Sequence, residues 1–117
     1  MKRYNPSEIE PKWQKIWADN KTYECYEDSA RPKAYATPML PYPSGAGLHV
    51  GHVRNYSIAD AVARFERQKG KNSLFAIGWD SFGLPAENYA IKTGTPPAES
   101  TATNIANFKK QLSRLGM

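Results

Sequence analysis

A chain of 117 residues has room for one modest core, and a composition of 40% hydrophobic and 23% charged residues is that of an ordinary globular domain rather than a disordered tail. No apolar run approaches the ~18 residues of a spanning helix. The start, Met1 to Pro6, lacks the apolar segment of a secretory signal, and the single cysteine, Cys25, cannot form an internal disulfide, so a cytoplasmic location is expected. The net charge of +5 is uneven. Residues 1–30 carry five basic and six acidic side chains, and residues 31–117 carry eleven and five. Two basic clusters, Arg64, Arg67, Lys69 and Lys71, and Lys109, Lys110 and Arg114, suit either a polyanion or a solvated helix face.

In chain order, Ser7 to Glu10 reads as a capping box opening a helix, and Ile9, Trp13, Ile16 and Trp17 continue as an apolar stripe to about Asn20. Pro11 is placed near the first turn, and the tryptophans are assigned to packing rather than base stacking. Residues 21–32 form an irregular linker. Lys33 to Thr37 reads as a strand ended by Pro38. A glycine-rich loop follows, then a helix from about His49 to Gln68 with Ile58, Ala61, Val62 and Phe65 as its inner stripe, stopped by Gly70. Ser73 to Ile77 is nearly all apolar, as in a parallel strand covered on both faces. Strand, helix and strand within about 45 residues make a βαβ unit. A short helix near 86–91, a turn over 92–97 and a last helix from about Ala98 to Leu115, with Ile105, Phe108, Leu112 and Leu115 inward, complete an α/β fold.

The chemistry concentrates in Pro41-Tyr-Pro-Ser-Gly-Ala-Gly-Leu-His-Val-Gly-His52. Gly45 and Gly47 let backbone approach a ligand, and the helix beginning near His49 offers unpaired N–H groups and a positive dipole end. His49 and His52, one turn apart, can donate to phosphate oxygens from one face. Read as chemistry, this is a nucleotide-phosphate site. In an open parallel sheet, ligands bind beyond the carboxyl ends of the strands. The first strand delivers Met39–Gly51 and the second delivers Trp79–Glu87, so both blocks are expected at one edge.

The block from Pro41 to Gly45 with His49-Val-Gly-His52 resembles the HIGH signature of class I aminoacyl-tRNA synthetases, in the form of leucyl-tRNA synthetases. Gly78-Trp-Asp-Ser-Phe-Gly-Leu-Pro-Ala-Glu-Asn88 resembles that family's next signature, and the likeness runs from about Asn5 to the end. It implies the first half of a Rossmann-like nucleotide-binding domain over 33–117, preceded by an N-terminal helix and linker over 1–32. It implies activation of leucine with ATP and transfer to tRNA(Leu). His49 and His52 would be catalytic, and Ser44, Gly45, Gly47, His49, Gly51 and His52 would bind ATP, with adenine packing on Gly51. Met39, Leu40 and Tyr42 would contact the amino acid. Asp80 at a strand end would pair with its α-ammonium group. Mg²⁺ would be carried by ATP. Leu40 stands where the family commonly has Phe, and Ser81 where it often has alanine. The KMSKS loop, the editing region and the anticodon-binding region are expected beyond Met117.

Other readings stand beside this one. His-x-x-His occurs in metal half-sites, but a metal needs further ligands and only Cys25 and scattered carboxylates are present, so no metal site is expected. Asp80 would also serve as a helix cap, and Glu87 and Asn88 as loop supports. A non-catalytic ATP- or RNA-binding half-domain is a different class of function, and an isoleucyl or valyl enzyme a neighbouring one. The isoleucyl form typically has histidine where Phe82 stands.

Overall fold

The computed structural model describes residues 3–117, and Met1 and Lys2, at the start of the expected N-terminal segment, lie outside the described residues. The elements run α1 (Pro6–Asp19), β1 (Lys33–Ala36), α2 (Val50–Gln68), β2 (Asn72–Phe75), α3 (Leu84–Thr93) and α4 (Pro97–Arg114). β1 and β2 pair in parallel, with Ala34 opposite Ser73 and Tyr35 opposite Leu74. The expected strand–helix–strand unit is therefore present, and the architecture is α/β around a small parallel sheet.

Several local expectations are corrected. α1 starts at Pro6 rather than on a Ser7 capping box, and its N-cap Asn5 makes no side-chain cap bond. Proline at the first helical position is already set at helical φ, so the helix begins before Ser7. Pro11 is consequently an interior residue and leaves the Ser7 carbonyl without its helical N–H. β2 is covered on one face only. Ser73 is buried, whereas Leu74 and its partner Tyr35 are exposed, because α2 packs on the side of Ala34 and Ser73.

The inner stripe of α2 is also different. Ile58, Val62 and Phe65 are all more than half exposed, and the buried residues are Tyr56 and Ala63. The small side chain at Ala63 lets the helix approach the strands closely, which a larger stripe would prevent. On α4 the expected pattern fits better: Phe108 and Leu112 are buried, though Leu115 is exposed. α3 packs against α4, with Ala86 and Ala90 buried on one and Ser100 and Asn104 on the other.

The first basic cluster is engaged internally. Arg64 pairs with Asp60 at 2.8 Å, donates to the Gly116 carbonyl at 2.7 Å and lies over the rings of Trp17 and Tyr23. Arg67 donates to the carbonyls of Tyr23, Glu24 and Ser73. Lys69 and Lys71 both pair with Glu66; hydrogen bonds from Lys71, then Lys69, hold its carboxyl below the usual carboxylate range. These cations hold linker, helix and strand together. Trp17 packs edge-on to Tyr23, while Trp13 is 46% exposed. Among the described residues, no helix is long and apolar enough to cross a membrane.

Candidate active site

The residues after β1 and β2 meet as the topology requires. The Asp80 N–H donates to the Pro41 carbonyl at 3.0 Å, tying the second block to the first. The Met39 N–H donates to Asn55 Oδ1 on α2 at 3.2 Å, and the Leu40 side chain lies against Gly78. Pro41 and Pro43 are fully buried, whereas Met39, Leu40 and Tyr42 are about half exposed. The prolines anchor the segment, and the larger side chains border open space. Asp80 is half-buried, and among the described residues its carboxylate enters no ion pair.

His49 is the N-cap of α2, in extended conformation. Its Nδ1 accepts from the Gly51 N–H at 3.1 Å, and His52 Nδ1 accepts from the His49 N–H at 3.3 Å. This reciprocal arrangement has the logic of a capping box, with imidazoles in place of the usual hydroxyl and carboxamide. An Nδ1 that accepts carries no proton, so each neutral ring carries its proton on Nε2. Both Nε2–H donors point away from the backbone that the Nδ1 atoms hold. The rings stack 3.8 Å apart at 25°, and His52 stacks in turn on Tyr56, at 5.8 Å and 10°. Burial first, and neighbouring His49 second, lower the His52 pKa below the ordinary histidine value. Tyr56 is fully buried, its hydroxyl has no hydrogen-bond partner among the described residues, and burial raises its pKa.

The glycines divide. A side chain at Gly45 would meet nothing within 4 Å, so open space faces it. At Gly51 a Cβ would lie 2.9 Å from His49 Cε1, so the bare position makes room for the capping ring. At Gly47 it would lie 2.7 Å from Gln111 Nε2, so the occupant there is α4. Ser44 is half-buried between the anchored Pro43 and open Gly45.

Sequence reasoning did not single out the polar residues of α4 that grip this loop. Asn104 Nδ2 donates to the Pro43 carbonyl at 2.9 Å, Asn107 Nδ2 donates to the Ala46 carbonyl, and Gln111 Oε1 accepts from the Leu48 N–H at 2.8 Å. At about 1 kcal/mol net for each bond, the three supply roughly 3 kcal/mol of ordering to the loop. Their 3- and 4-residue spacing was the available signal. Phe108, on the same helix, is 99% buried, lies 6.5 Å from His52 and packs edge-on to Trp79 at 5.9 Å. It joins the histidine helix to the block that carries Asp80.

Two comparisons bear on this geometry. The family model described as tRNA synthetases class I (M) matches residues 34–117. A crystal structure of LeuRS from Agrobacterium radiobacter, in a ternary complex with tRNA and LeuAMS, is 42% identical over 97% of this chain, with a TM-score of 0.92. This chain spans 15% of the length of that one. The sheet and helices correspond to part of a class I synthetase Rossmann-like domain. With the family model covering most of the sequence and both signature blocks joined at the sheet edge, the chain belongs to the class I tRNA synthetases.

Proposed function

We propose that this chain forms the amino-acid-activating part of a leucine–tRNA ligase, which joins leucine to ATP as leucyl-adenylate and transfers the leucyl group to tRNA(Leu). The observation that carries the reading is the reciprocal histidine cap. Among the described residues it leaves two Nε2–H donors without a partner at a helix N-terminus, beside a block bearing a half-buried carboxylate. The LeuRS likeness supports the choice of leucine and tRNA. In the first step an oxygen of the leucine carboxylate bonds to the α-phosphorus of ATP, the bond to the bridging oxygen breaks, and pyrophosphate leaves. The protein's task is positioning and stabilisation of charge on the phosphoryl oxygens.

His49 and His52 donate to those oxygens, and the α2 N-terminus adds its dipole. Ser44 and Gly45 border the space for phosphate, and exposed Gly51 lies beside the adenine. Asp80 holds the α-ammonium of leucine, while Met39, Leu40 and Tyr42 border its side chain. Mg²⁺ enters on the ATP phosphates as part of the substrate, since the loop offers nitrogen donors and the ion prefers oxygen. Pyrophosphate exchange by the intact enzyme with leucine, isoleucine and valine tests the assignment. Leucine alone should support rapid exchange, and Asp80→Asn should raise the leucine KM sharply while ATP binding stays near parent. Exchange driven better by isoleucine or valine, or an Asn variant equal to the parent, would overturn it.

A further inference from the structure

The geometry points to α4 as a positioning rail for the histidine loop. We propose that Asn104, Asn107 and Gln111 set the backbone register of Pro43–Leu48 and so the aim of the His49 and His52 Nε2 donors. This rests on the ATP role proposed above.

The three amides lie 3 and 4 residues apart, on one face of α4. Each bonds to backbone 61 to 63 residues earlier in the chain, taking Pro43, Ala46 and Leu48 in order. The ties are to main-chain atoms, so they define where the loop runs whatever side chains it carries. The last tie sits one residue before His49, and that residue is the cap of α2. A displacement of Leu48 is therefore passed directly to the capping ring. Gly47, at the bend between the second and third ties, has the Gln111 amide where a side chain would stand. The loop and α4 are thus fitted to each other at Gly47, while open space faces Gly45. Gln111 lies against Gly47 on the side α4 occupies, Asn107 and Asn104 bond only the Ala46 and Pro43 carbonyls, and the three act through the histidines.

The polarity of the ties supplies the test. Asn104 and Asn107 donate to carbonyls, and Gln111 accepts from an N–H. An acid in place of either asparagine loses the donor and sets lone pairs against a carbonyl, while Gln111→Glu keeps its acceptor. Amides that merely fill space would respond alike to all three acid replacements. Asn104 is buried, so the more open Asn107 and Gln111 carry the experiment.

In the intact enzyme, Asn107→Asp and Gln111→Met should lower kcat for leucine-dependent pyrophosphate exchange by roughly 10- to 100-fold, the scale of a misplaced catalytic group. KM for ATP should change less than about threefold, and Gln111→Glu should stay within about threefold of parent kcat. Hydrogen exchange at the Leu48 amide should quicken in Gln111→Met and remain slow in Gln111→Glu. Equal loss in Gln111→Glu and Gln111→Met, parent-like kcat in Asn107→Asp, or unaltered Leu48 exchange in Gln111→Met overturns the rail. If the parent enzyme shows no leucine-dependent exchange, the functional reading fails, and the Leu48 protection pattern alone decides whether α4 sets the loop.

Discussion

In the proposed mechanism His49 uses its two nitrogens for different purposes, so two substitutions can separate them. His49→Ala removes both the Nδ1 acceptor and the Nε2 donor, whereas His49→Ser keeps a cap acceptor without the donor. Loss of a charge-stabilising donor costs about 2.7–4 kcal/mol at the transition state. His49 is exposed, which places its value at the lower end, about 2.7 kcal/mol or a hundredfold in rate. Both variants should therefore lose about a hundredfold in pyrophosphate exchange, with a smaller change in KM for ATP. They should differ in stability. The Ala variant forfeits a cap, about 1 kcal/mol, which lowers Tm by about 4 °C for a domain near this size. The Ser variant should melt within about a degree of parent. The assays are exchange kinetics on the intact enzyme and thermal melts of the 117-residue chain. Full exchange activity in His49→Ser would reduce the imidazole to a cap, and equal melting of the two variants would show that the Nδ1 bond contributes nothing.

Gly51→Ala should fail to give the usual helical gain of about 1 kcal/mol over glycine, because its Cβ would meet the His49 ring at 2.9 Å. In the His49→Ala background the ring is gone and the gain should return, giving a coupling of about 1 kcal/mol in a double-mutant melting cycle; additive values would show that the ring moves aside freely. His52 has a lowered pKa, from burial first and His49 second, so the unfolded chain binds its proton more readily than the folded one. Its contribution to stability is complete at neutral pH and is lost as pH falls below the ordinary histidine value toward the folded-state pKa. His52→Gln keeps an N3 acceptor that does not titrate, so denaturant midpoints at pH 7.5 and 5 should separate less in this variant than in the parent. Equal losses would show that the fold does not hold His52 neutral.

The position of the loop and of the helix start was legible because their signals are local. Glycines and prolines before a His-x-x-His specify a loop and a helix start, and the two strands ending before Met39 and Trp79 bring their loops to one edge. The α2 core face was not legible, since the helix carries apolar residues on two sides. Ile58, Val62 and Phe65 look more like a core stripe than Tyr56 and Ala63 do, and only the position of the sheet decides between them. The capping role of the histidines was missed because imidazole is not a usual N-cap group. The α4 amides were missed because their spacing marks only a polar helix face, and their partners are backbone atoms some 60 residues away. The basic cluster at Arg64 and Arg67 was legible as charge, but its carbonyl and aromatic partners lie in an irregular linker.

That linker also bears on the order in which the molecule assembles. Arg64 reaches Tyr23 across 41 residues, Arg67 reaches it across 44, and Asn72 closes a two-way amide bond with Tyr26 across 46. α1 buries no residue completely, and its Gln14 side chain meets Arg114 at a separation of 100. Contacts this distant in sequence form only after the chain between them has been drawn together. The β1–β2 pairing spans nearly as much chain, Lys33 to Asn72, but the helix that packs on it lies between the two strands. With no residue of α1 fully buried, residues 6–26 are expected to dock late, onto a surface that α2 and β2 have already built. Substitution of Tyr23 should hasten unfolding while leaving the folding rate almost untouched, whereas Arg67, which also bonds the Ser73 carbonyl, should change both. In that order of assembly the two guanidiniums form a latch, closed last and opened first.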